Sequence, residues 1–127
     1  MSVMTNGIGW FEIGTDEPDR AERFYGELFG WSFSDLEGAD VPYRIVDTGA
    51  EPSIKGGVFG TGGNLPNYAI FCVVVADVAE TCRRAEASGG KVLVPPKTTS
   101  SGLTFANLLD PSGNHFGVYT PPAGSDA

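Results

Sequence analysis

Landmarks of this chain recur at a fixed offset, which restricts it to folds that use one structural unit twice. Glu17 and Asp77, Gly30 and Gly90, and the triplets Gly57-Val58-Phe59 and Gly117-Val118-Tyr119 all stand 60 residues apart. These positions mark a helix start, a helix end and a last strand. Ungapped agreement at all three points to a duplicated module.

Within the first copy, Gly7 to Ile13 reads as a strand. Pro18, at a first helical position after Asp16 or Glu17 as cap, opens a helix running to Phe29. Ala21, Phe24, Tyr25 and Leu28 follow the spacing of one apolar helical face, so Leu28 is expected to pack against the sheet. Gly30 ends the helix, and Trp31 to Asp35, Tyr43 to Asp47 and Gly57 to Phe59 are short strands. Gly60 to Pro66 has the turn-forming content of a linker. The second copy repeats the order: a strand at Tyr68 to Val75, a helix from Asp77 to Ser88, and strands near Lys91 to Val94, Leu103 to Leu109 and Asn114 to Tyr119. Asp77 and Glu80 have capping-box spacing, and Val78, Cys82 and Ala85 form the apolar stripe.

The sequence thus predicts an α+β fold of two tandem βαβββ modules in one domain over 6–121. Module one is 6–60, the linker 61–66, module two 67–121, and a C-terminal tail 122–127 follows. At 127 residues there is room for one modest core.

A formal charge of -8 without a visible basic patch argues against nucleic acid as a partner. The apolar stretch from Tyr68 to Val78 is too short to cross a bilayer, and no basic segment leads into an apolar signal core near the start. The expected location is cytoplasmic. Cys72 and Cys82 match no CxxC pattern and read as reduced, buried residues.

The phrases GWFEIGTDEPDRAERFYGELFGW and LLDPSGNHFGVY resemble the first strand-helix unit and the closing strand of the vicinal oxygen chelate superfamily, which comprises glyoxalases, bleomycin-resistance proteins and extradiol dioxygenases. The resemblance covers about residues 6 to 121 and implies a curved mixed sheet around a cleft, and a homodimer. DPSGN is also what a tight turn requires, with Gly113 free to adopt positive φ. In metal-using relatives, His, Glu or Gln on the first and last strand of each module hold an ion. By resemblance those positions fall on Trp10, Gly57, Ile70 and Gly117, none of which offers a suitable donor. No metal and no other cofactor is expected, and His115 is the chain's one histidine.

Strand alternation sends Trp10 and Glu12 to one face and Phe11 and Ile13 to the other, beneath the helix. The expected cleft is lined by Trp10, Glu12, Phe59, Ile70, Cys72, His115 and Tyr119, a surface suited to a flat or apolar small molecule. The ligand-binding candidates are Trp10, Phe59, Ile70, Cys72, His115 and Tyr119. Each also has a plain structural explanation as packing or solvated surface. Glu12 and His115 are the candidate general bases, with Tyr119 as proton donor. Arg44 is a possible partner for an anionic ligand whose side of the sheet the sequence leaves open.

The first functional reading is a protein that binds a small aromatic or hydrophobic molecule, without metal. The alternatives are a lyase, isomerase or dioxygenase-type enzyme, metal-free or with an ion relocated among Glu12, Cys72 and His115, and an interaction module acting through its dimer.

Overall fold

The computed structural model describes residues 5–36 and 42–122, so most of the tail at 122–127 lies outside the described residues. Ten elements follow in the order β1 (Ile8–Thr15), α1 (Pro18–Phe29), β2 (Ser32–Asp35), β3 (Tyr43–Asp47), β4 (Gly56–Gly60), β5 (Tyr68–Val74), α2 (Val78–Ala87), β6 (Lys91–Thr98), β7 (Thr104–Leu109) and β8 (His115–Thr120). This is βαβββ twice. The chain divides into two compact units, Trp10–Ala69 and a second that joins the described residues up to Gly9 to those from Ile70 onward.

In the unit Trp10–Ala69, the strands run in the order β2-β3-β4-β1, with β1 and β4 parallel and the other neighbours antiparallel. Glu12 stands opposite Gly57, Ile13 opposite Val58 and Gly14 opposite Phe59. The other unit has the order β5-β8-β7-β6 and repeats that register: Cys72 opposite Gly117, Val73 opposite Val118 and Val74 opposite Tyr119. Every one of these residues is displaced by 60 from its counterpart, so the repeat extends to the pairing of strands.

Each unit packs its helix on one face of its sheet. Ile13, Val46 and Val58 form one core with Phe11, Tyr25, Trp31 and Phe33 around it. Val75, Val78, Cys82, Ala106, Leu108 and Val118 form the other, with Ala85 and Val92 against it. Cys72 and Cys82 are buried and are not joined in a disulfide, as their apolar settings suggested.

The helix face read for α1 needs correction. Leu28 and Phe24 are each 58% exposed, and α1 buries no residue fully. Its half-buried residues are Pro18, Ala21, Glu22, Tyr25 and Gly26. The physical reason is Glu22, which turns toward the sheet because Arg44 on β3 donates to its carboxylate at 2.6 Å and to Asp19 at 2.5 Å. This rotates the inward stripe away from Phe24 and Leu28. Arg44 therefore lies on the helix side and is occupied by two carboxylates.

Capping also departs from expectation. Glu17, one of the two expected caps, occupies the N-cap of α1, but its side chain makes no capping hydrogen bond and meets Arg20 instead, while Asp16 is joined to Asn67. Asp77 accepts from the Glu80 backbone N–H at 3.0 Å, but the Glu80 side chain reaches Arg83 instead of returning, so only half of the capping box forms. Gly30 ends α1 with φ 72° and its N–H on the Gly26 carbonyl, the left-handed cap that glycine adopts without strain. The strand predicted to stop at Val94 runs on through Pro95 and Pro96 to Thr98, with register shifts against β7. Both prolines lie on a sheet-edge strand, where a missing N–H is tolerated.

Candidate functional site

The face of β1 turned away from the core carries Trp10 and Glu12, and the strand register places Phe59 and Tyr43 on the same side. Gly57 is opposite Glu12 and has no side chain, and the ring of Tyr43 fills the space that one would occupy. The phenol then reaches Glu12: Tyr43 Oη donates to Glu12 Oε1 at 2.8 Å. Gly14, two residues along β1, is overlaid in the same way by the ring of Tyr68, whose Oη donates to Glu12 Oε2 at 2.5 Å. Trp10 Nε1 donates to Tyr43 Oη at 2.9 Å, and the rings of Tyr43 and Phe59 are 6.4 Å apart.

Two glycines thus make way for two tyrosines, and the tyrosines clamp one carboxyl. Burial pushes the Glu12 pKa above its usual 4.5, outweighing the two phenol hydrogen bonds that pull it down. Trp10, Glu12, Tyr43, Phe59 and Tyr68 all stay partly accessible. Sequence reasoning singled out Trp10, Glu12 and Phe59 but missed Tyr43 and Tyr68. Glycine at 14 and 57 was the available signal, because a strand glycine often marks close approach of another group.

The remaining sequence-named residues belong to the other unit. Cys72 is 7% exposed, and its Sγ lies 2.9 Å from where a Cβ on Gly117 would be. His115 Nε2 is 2.9 Å from Asn107 Nδ2, and burial holds the imidazole pKa below 6.5. The hydroxyl of Tyr119 lies close to Gly9, and burial followed by the proximity of Cys72 raises its pKa. Ile70 is partly exposed on β5. In the turn before β8, Gly113 adopts φ 86° and Asp110 accepts from the backbone N–H of Ser112 and Asn114, each at 2.9 Å. DPSGN therefore acts as a turn.

The positions that would hold the superfamily's metal do not fit one. Trp10 and Ile70 bear no metal-ligating atom, the Gly57 site is filled by the Tyr43 ring, and Gly117 lies against the Cys72 thiol. Among the described residues, no group of three His, Cys, Asp or Glu side chains is placed to hold an ion. A shallow concavity of about 500 Å³ beside Arg20, Arg23, Phe24, Glu27 and Leu28 lies over the outward side of α1, away from the Glu12 face. No helix among the described residues is long and apolar enough to cross a membrane.

A sequence profile of the Glyoxalase/Bleomycin resistance protein/Dioxygenase superfamily matches residues 7–118. The protein named "Putative glyoxylase CFP32" of Mycobacterium tuberculosis is 33% identical over 118 residues, covering 92% of this chain and 45% of that protein. "Anthracycline biosynthesis protein DnrV" of Streptomyces peucetius is 37% identical over 114 residues, covering 87% and 40% respectively. The chain therefore spans less than half the length of these two relatives. The solved methylmalonyl-CoA epimerase of Mycobacterium tuberculosis superposes with a TM-score of 0.62 at 14% identity, covering 95% of this chain and 92% of the other. Such low identity establishes the shared fold alone. With the profile match spanning nearly its whole length, the chain belongs to the glyoxalase/bleomycin resistance protein/dioxygenase superfamily.

Proposed function

We propose that this protein binds a flat aromatic or otherwise hydrophobic small molecule against the sheet face that carries Trp10, Glu12, Tyr43 and Phe59, and does so without a metal ion. The supporting observation is the aromatic group itself. Trp10, Tyr43, Phe59 and Tyr68 remain partly accessible on the side of the sheet opposite the core, where stacking and burial would hold a planar ligand. Ile70, Cys72, His115 and Tyr119 are proposed as ligand contacts of the other unit. The association of one relative with anthracycline biosynthesis agrees with a polycyclic aromatic ligand.

Acridine, a flat uncharged tricycle at pH 8, tests this reading in a Trp31→Phe variant, where Trp10 is the remaining tryptophan. Trp10 emission should fall on binding, and Trp10→Ala should weaken the affinity. Native mass spectrometry of protein purified from its source should show a retained aromatic compound. No response to acridine and no retained compound would remove the reading. Elemental analysis of the same material tests the metal-free part: about one zinc, iron, nickel or manganese ion per chain would overturn it.

A metal-free lyase or isomerase is the second reading, favoured by the raised pKa of Glu12 between two phenols, the properties of a general base with proton donors beside it. Under that reading, Glu12→Gln abolishes turnover while a ligand still binds. The proposed assembly is a homodimer, and light scattering that reports only monomer at micromolar concentration would exclude it.

A further inference from the structure

We propose that the Glu12 face selects aromatic ligands that carry a positive charge, namely protonated amines, and that Glu12 makes the selection. This deepens the reading of a flat aromatic ligand on that face and rests on it.

The direction of the hydrogen bonds comes first. Trp10 donates to Tyr43, Tyr43 donates to Glu12 Oε1, and Tyr68 donates to Glu12 Oε2. Each of these protons points toward the carboxyl, so the oxygens of ionised Glu12 can only accept. A carboxylate has about four acceptor positions and two are used here, which leaves room for a ligand N–H.

The second observation is the missing counter-charge. Among the described residues, no Lys, Arg or His pairs with Glu12. Of the cations of its own unit, Arg44 pairs with Asp19 and Glu22, Lys55 with Asp47 and Arg20 with Glu17, while Arg23 is exposed on the outward side of α1. A carboxylate withdrawn from water without a cation is costly, and a cationic ligand relieves that cost.

The third is the surroundings. Trp10, Tyr43, Phe59 and Tyr68 have electron-rich ring faces that attract cations, by enough to change affinity about tenfold in a desolvated site. Anionic ligands meet both the carboxylate and those faces, and are disfavoured.

Three probes with one ring system separate shape from charge: 9-aminoacridine as cation, acridine as neutral compound and acridine-9-carboxylate as anion. Isothermal titration calorimetry at pH 8 and high salt, which screens the general attraction of a -8 chain, should show the cation about tenfold tighter than acridine and the anion weakest. In Glu12→Gln the ratio of cation to neutral affinity should fall toward one, whatever happens to each affinity separately. Tyr68→Phe retains the carboxylate and should retain the preference. Should Glu12→Gln fail to fold, acidification of the wild type is the substitute, because protonating Glu12 should weaken 9-aminoacridine binding. Equal affinities in the wild type, or a cation preference that survives in folded Glu12→Gln or is insensitive to acid, would overturn the selection while leaving the aromatic site intact. Absence of binding by all three probes would overturn both.

Discussion

The ring of Tyr43 lies in the space that a side chain on Gly57 would occupy, and from there its hydroxyl bridges Trp10 and Glu12. Gly57→Ala should therefore force the ring to shift and break both bonds. The expected loss is about 1–3 kcal/mol by chemical denaturation, with altered Trp10 emission. Gly26→Ala should act in the opposite sense. Its added methyl would meet the Trp31 carbonyl oxygen at an ordinary 3.5 Å, and glycine in a helix interior costs about 0.5–1 kcal/mol relative to alanine.

Glu12 makes a pH-dependent contribution whose sign follows from its raised pKa. The folded protein holds the Glu12 proton more tightly than the unfolded chain does. Its stabilising effect is fully present below the usual value of 4.5 and is lost as pH rises through the folded pKa. Glu12→Gln removes that dependence. The two proteins should have similar stability at acid pH, and the variant should become progressively more stable than wild type toward neutrality. Parallel stability curves across this range would show that Glu12 is not desolvated.

The duplicated order was legible because glycine at helix ends and apolar strand triplets impose local requirements that repeat in sequence at a spacing of 60. The outward face of β1 was legible as well, since alternation alone separates Trp10 and Glu12 from Phe11 and Ile13. Tyr43 and Tyr68 were not. Each reaches Glu12 from another strand, 31 and 56 residues away, one through the gap left by Gly57 on the neighbouring strand and the other over Gly14, two residues along β1. The inward stripe of α1 was misplaced for a related reason: Arg44, from a strand not yet paired in sequence, draws Glu22 under the helix.

His115 should titrate in the opposite direction from Glu12. Burial depresses its pKa, so its contribution to stability is present above 6.5 and is lost as pH falls through the folded pKa. NMR of the ring protons should give a midpoint below 6.5. Because Asn107 is only 8% exposed and bonds the imidazole, Asn107→Ala should shift that midpoint and lower stability by about 1 kcal/mol. An unshifted midpoint in the wild type would mean that the ring is open to water.

Leu28 and Leu108 provide the sharpest comparison of helix surface with core. Leu28 lies on the outward shoulder of α1 beside Arg20, Arg23 and Glu27, 58% exposed, so truncation leaves no enclosed cavity and removes little buried area. Leu28→Ala should cost less than about 1 kcal/mol, within the usual range for surface positions. Leu108 is fully buried on β7 in the core with Val78, Cys82, Ala106 and Val118, where the surrounding strands and α2 cannot close over the lost volume. Leu108→Ala should cost about 2–5 kcal/mol. Denaturant titrations of the two variants under one set of conditions decide the matter. A loss at Leu28 as large as that at Leu108 would mean that a partner surface covers the outward shoulder in solution, and the same titration repeated at several protein concentrations would expose such a partner as a second copy of the chain, because the stability of an associated form rises with concentration.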